Sequence, residues 1–315
     1  MRESELKLLQ TLRTISRYSI ATGILVSLAF TSQGTFPMEW QAFLALIALA
    51  VGIPHGAVDH LVTVPKFSKP KMSLFLFSYL AAVGIVILFI LQQNILGFQI
   101  VVVMSAVHFG IGDAAFISEI DRRSKNGTRI PKFIHALAAG SIPVLIPLVN
   151  NQSAKALQRV NPNLVNWVGD LAPALFITML ALAASALLVM AIARRWQEAI
   201  DIALLTALAL VAPPLVAFAF YFGLWHALRH TGRLTLELQS AQKMHQLERT
   251  FKAFAKAFLA GIPALVITLT FTLILGLTNG FEFSQDFLWY LLVVVWALTV
   301  PHMILTAKLD AKAFS

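Results

Sequence analysis

Six of the eight histidines in this chain fall inside apolar runs: His55, His60, His108, His226, His230 and His302. An ionisable side chain is expensive in such surroundings, so each marks a functional position before anything else is known. In "YFGLWHALRH", His226 and His230 stand four apart. A helix puts both imidazoles on one face, where they can hold one metal ion. In "VGIPHGAVDH", His55 and Asp59 have the same spacing, giving a ligand and a carboxylate able to fix its tautomer. His60 follows His55 by five residues, about 140° round an ideal helix, and is not expected to face the same ion. Pro54 frees a carbonyl one turn back and bends the helix there. "VHFGIGD" adds His108 and Asp113 around two glycines that permit close helix approach. "TVPHMILTAKLD" places His302 directly after a proline. The other two read as ordinary residues, His135 near an interface and His245 solvated in a polar segment.

The chain has no cysteine, so a metal must be held by imidazole or oxygen. Neutral imidazoles suit zinc, copper or iron, which leaves zinc hydrolysis and iron–oxygen chemistry both open. No HExxH is present, so the metalloprotease reading lacks its general base. Phe218, Phe220, Tyr221, Phe222 and Trp225 precede the histidine pair and suit an apolar substrate, although core packing explains any single ring as well. Two rivals fit worse. A di-iron desaturase or hydroxylase needs several HxxxH and HxxHH boxes, and this chain has one HxxxH and no HH pair. A divalent-metal transporter is expected to carry more intramembrane carboxylates than Asp59, Asp113 and Asp201.

The elements that must position these residues are membrane helices. Hydrophobic residues make up 58% of the chain and charged ones 12%, with a mean hydropathy of +0.77; soluble domains carry about 25% charged residues. Apolar runs long enough to cross a bilayer lie at about 18–34, 40–63, 73–91, 95–118, 131–149, 170–193, 199–231, 254–277 and 286–307. The fold class is therefore all-α, a polytopic transmembrane helix bundle of eight or nine membrane segments, one of them incomplete or broken. The candidates for that one are 131–149, with Pro143 and Pro147, and 199–231, with Pro213 and Pro214.

The net charge of +9 sits in short clusters between the apolar runs, the positive-inside arrangement, and does not imply nucleic acid. Residues 1–17, 64–72 and 119–132 are basic, whereas 35–39 and 92–98 carry no Lys or Arg. The N-terminus is thus expected in the cytoplasm, with the first helix retained as a membrane span. Segment 229–256, with six Lys or Arg, belongs on the same side only if one crossing is miscounted. That topology also brings His55, His108, His226, His230 and His302 to one depth. The expected organisation is a lead-in (1–17), one catalytic transmembrane domain (18–307) with an amphipathic surface helix at 232–253, and a cytoplasmic tail (308–315).

"GIPHGAVDH", "HFGIGD" and "YFGLWHALRH", in that order within about residues 40 to 307, resemble the Brp/Blh family. These are bacteriorhodopsin-related membrane β-carotene 15,15′-dioxygenases of bacteria and archaea. The resemblance implies cleavage of the central double bond of β-carotene, or a related carotenoid, into two retinal molecules. It implies non-haem Fe(II) with O2 as co-substrate, and no haem, nicotinamide or flavin. Carried over residue by residue, the ligands are His55, His108, His226 and His230, with Asp59, His60, Asp113 and His302 around them or in the pocket. Phe109, Phe218, Tyr221, Phe222 and Trp225 are the expected walls of a substrate tunnel. The expected setting is the inner (plasma) membrane, with the metal toward the cytoplasmic side and retinal passed to a rhodopsin.

Overall fold

In an apolar medium each backbone N–H and C=O must find its partner within the chain, so the apolar runs close on themselves as helices. The computed structural model describes residues 1–32, 34, 36–58, 61–62, 68–124, 130–280 and 282–314, and contains no strand among them. The helices are α1 (Arg2–Ser32), α2 (Met38–Ala57), α3 (Lys69–Gln92), α4 (Asn94–Ser124), α5 (Lys132–Val149) and α6 (Ser153–Val160). They continue with α7 (Ala172–Ile192), α8 (Trp196–Val211), α9 (Pro214–Phe218), a π-helical segment (Ala219–His226) and α10 (Ala227–Leu234). The chain ends with α11 (Gln239–Gln246), α12 (Thr250–Ala260), α13 (Ile262–Thr278) and α14 (Phe283–Phe314). Seven helical stretches among the described residues are long and apolar enough to cross a membrane: 38–57, 69–92, 94–124, 132–149, 169–192, 250–278 and 286–314.

The two ambiguous runs resolve differently. The run 132–149 is a continuous helix through both of its prolines. The run 199–231 is broken, because each proline drives the residue before it out of helical ψ. Ala212 and Pro213 have ψ of 140° and 152°, and the helix restarts at Pro214. Segment 232–253 is not one surface helix. It is shared among α10, α11 and the start of α12, and it packs inward through Leu234, Leu236, Leu238 and Ala241. The lead-in is likewise no separate arm, since α1 is a single helix from Arg2 to Ser32.

α4 and α5 cross at backbone contact. A Cβ on Gly110 would lie 2.0 Å from the Ala136 carbonyl oxygen, and one on Gly140 would lie 1.9 Å from that of Ala106. Small residues allow this approach between membrane helices, where dispersion contacts carry the packing. α1 is pinned to α8 by ion pairs, Arg13 to Glu198 (2.7 Å) and Asp201 (2.8 Å), and Arg17 to Asp201 (2.6 Å).

Candidate metal centre

Five imidazoles from four parts of the chain meet in the interior: His55 of α2, His108 of α4, His226 and His230 around the π-segment and α10, and His302 of α14. His55 is 5.2 Å, ring centre to ring centre, from each of His226, His230 and His302. His108 lies 4.9 Å from His226 and 4.8 Å from His302. All five are 2–6% exposed.

The backbone sets how each ring is presented. His55 Nδ1 bonds the Gly52 carbonyl, which can only accept, so Nδ1 keeps its proton and Nε2 offers a lone pair. His302 Nε2 and His108 Nε2 approach to 3.1 Å. The ligand nitrogens of His55, His108 and His302 all lie within 4.8 Å of one another, close enough to share one ion. His226 closes the π-segment, where the Ala227 N–H reaches back five residues to the Phe222 carbonyl. This wider turn, a frequent feature of functional sites, re-aims the side chains that follow it. Among the described residues His226 Nε2 is buried without a hydrogen-bond partner. Such an atom costs about 1–3 kcal/mol if nothing satisfies it, and a metal ion in the midst of these nitrogens would do so. The donor set therefore fits a metal that prefers imidazole.

Behind the rings lies a polar anchor. Asp113 Oδ1 accepts from Arg229 Nη1 (2.7 Å) and Trp225 Nε1 (3.0 Å), and its Oδ2 accepts from His135 Nε2 (2.9 Å). Trp225 and Arg229 each precede a candidate ligand by one residue, so the carboxylate grips that helix on the face away from the centre. The Arg229 guanidinium lies 3.3 Å from the Trp225 ring centre, bonds Ser16 Oγ (3.0 Å) and pairs with Asp201 at 3.7 Å. Arg233 Nη1 bonds Asp310 Oδ1 (2.6 Å), tying α10 to the helix that carries His302.

His302, expected around the ligands or in the pocket, stands beside the other imidazoles and lines the outer of the two cavities described below. Other expected positions differ from this arrangement. Trp225 is turned toward Asp113, away from both cavities described below, because its indole N–H needs a buried acceptor. His135 is fully buried. His245 is also buried rather than solvated, held between Ser4 Oγ (3.1 Å) and Thr235 Oγ1 (3.0 Å). Asp59 and His60 lie outside the described residues. Arg229 was the residue sequence reasoning missed, although a cation flanked by two intramembrane histidines is itself a signal.

Two cavities meet at Phe109, Phe222, Val295 and Thr299. The first, the inner one, is lined by Phe218 and Tyr221 among other apolar side chains, with the Tyr221 hydroxyl tied to the Ala139 carbonyl (2.7 Å). The second, the outer one, is walled by His55, His108 and His302. Phe222 reaches this junction because α2 has no side chain at Gly52, where a Cβ would fall 2.1 Å from the ring.

A family model described as "Beta-carotene 15,15'-dioxygenase" matches residues 46–310. The chain is 27% identical over 248 residues to a Halobacterium salinarum protein named "Probable beta-carotene 15,15'-dioxygenase Blh", covering 70% of this chain and 71% of that one. It is 26% identical over 285 residues to the "Beta-carotene 15,15'-dioxygenase" of uncultured marine bacterium 66A03, covering 86% of this chain and 94% of that one. No solved structure matches it.

Proposed function

The chain belongs to the β-carotene 15,15′-dioxygenase family, and on that premise we propose that it splits the central double bond of β-carotene with O2 into two retinal molecules at iron(II). His55, His108, His226 and His230 hold the ion, and His302 borders the same centre. The observation that carries this reading is the position of the imidazoles, beside the junction of two apolar cavities. A long hydrocarbon lying through both presents its middle, not its end, to the histidines.

Iron(II), when bound, supplies the place where O2 is activated beside the electron-rich bond. The chain's own part is positioning and exclusion of water. Phe109 and Phe222 sit at the junction and hold the polyene across the centre. His55 retains its Nδ1 proton on the Gly52 carbonyl, so its free nitrogen stays a donor of electrons. The carbon–carbon double bond breaks, each new carbonyl receives one oxygen atom, and no proton enters or leaves. No general acid or base is therefore required.

The protein lies in the inner (plasma) membrane with its N-terminus and metal centre toward the cytoplasm, residues 18–307 act as one catalytic unit, and a retinal-binding rhodopsin takes the product. The basic lead-in and the common depth of the histidines support that placement.

Expression in a bacterium that accumulates β-carotene tests the reaction. Bleaching with about two retinals per carotene is expected, and His226→Ala, made to comparable levels in the membrane, should lose at least about a hundredfold in rate, as removal of a metal ligand or its support does. Unchanged carotene with the iron-loaded protein present overturns the activity. Full cleavage by the His226→Ala variant overturns the ligand assignment.

A further inference from the structure

The geometry points to a lateral opening in the membrane face of the protein, between α3 and α13, through which the hydrocarbon substrate reaches the histidines from within the bilayer. This inference rests on the carotenoid reading of the site. The outer cavity runs from His55, His108 and His302 outward to Leu76 and Tyr79 on α3 and to Ala264 and Ile267 on α13. Leu76 is 47% exposed and Ile267 68%. Among the described residues, none in the wall of the inner cavity is exposed. The outer chamber therefore has the more exposed wall of the two.

The opening lies at the depth of the hydrocarbon. α3 belongs to a crossing stretch of mean hydropathy 2.8 and α13 to one of 2.3. Leu76 is seven residues into α3, and at 1.5 Å per residue that is about 10 Å from its end. α3 and α13 each pack on α14, and among the described residues neither packs closely on the other. Lipid-exposed openings are tolerated where helices supply the rim, since no backbone group is left unsatisfied. Among the described residues the rim is apolar, apart from the Tyr79 hydroxyl and Thr268. A carotenoid dissolved in the bilayer already lies at this depth and meets no charged group among the described residues of the cavity wall. Its leading end passes the three histidines, crosses between Phe109 and Phe222 and comes to rest in the inner chamber. That places the middle of the molecule at the centre.

Because the chain contains no cysteine, Leu76→Cys with Ile267→Cys supplies a single thiol pair across the opening. Membranes holding this variant and β-carotene are treated with a bis-methanethiosulfonate cross-linker, then with dithiothreitol. The linked protein is expected to cleave at least about tenfold more slowly than its own reduced form, with unchanged iron content, and reduction should restore the rate. Equal rates in the linked and reduced forms overturn the inference. Wild-type protein, which cannot be linked, reports on the reaction separately: if it fails to cleave carotene, the proposed activity falls instead. A readout independent of turnover uses Ile267→Cys alone and a lipid-soluble maleimide. β-Carotene should slow its labelling several-fold, and labelling unaffected by β-carotene overturns the opening.

Discussion

At the scale of single residues, Asp113 is the side chain on which most depends. It takes three donors from His135, Trp225 and Arg229, so its two oxygens fix both the rotation of the helix bearing His226 and His230 and its distance from α4. Asp113→Asn keeps the shape but removes the charge facing a buried guanidinium. Changes to groups that orient metal ligands typically cost about 10–100-fold in metal affinity or activity. The expected outcome is an iron affinity lower by that order, with an altered absorption spectrum when cobalt replaces iron. A purely structural role would reduce yield and leave both properties of the folded protein unchanged, so an unchanged affinity and spectrum would sink the positioning role. His226 and His230 were legible from their spacing, because helical periodicity is local. His135 and His245 were not, since their burial depends on partners 22 and 241 residues away.

At the scale of elements, apolar length gave the helices and "APP" gave the break near residue 213, because both follow from the chain's local chemistry. The π-segment was not legible, since "AFYFGLWH" has the composition of any membrane helix. Its wide turn depends on what packs around it, including Ala48, whose Cα would lie 3.1 Å from a Cβ on Gly223. The α4–α5 crossing offers a sharper test. Gly110→Ala would thrust a methyl into the Ala136 carbonyl, which is backbone and cannot swing aside. Overpacking of this kind typically costs about 1–3 kcal/mol. Thermal unfolding in detergent should show a lower midpoint for Gly110→Ala, whereas Gly84→Ala, with open space around its Cβ position, should leave the midpoint near wild type. Equal midpoints for the two would refute close backbone contact at this crossing.

For the molecule as a whole, acid sensitivity has an identifiable source outside the membrane spans. His245 joins the start of α1 to Thr235, whose hydroxyl donates to the Gly232 carbonyl and so accepts from His245 Nε2–H. The other ring nitrogen accepts from Ser4, so the site is built for neutral imidazole. Burial lowers the pKa below its ordinary 6.5, only partly opposed by nearby Glu5. As pH falls below about 6.5 the unfolded chain binds a proton that the folded one refuses, so stability declines with acid and is unaffected above that range. Melting midpoints at pH 7.5 and 5.5 should therefore separate more for wild type than for His245→Gln. An equal separation would remove His245 from the acid response.

The succession of the two chambers behind one opening has one more consequence, which concerns timing. A chamber reached through another is emptied in the reverse of the order in which the two are filled. Of the two aldehydes made in one turnover, the half beside the opening departs first, and the half behind Phe109 and Phe222 waits its turn. The two products of a symmetrical substrate, chemically identical, would leave with different residence times.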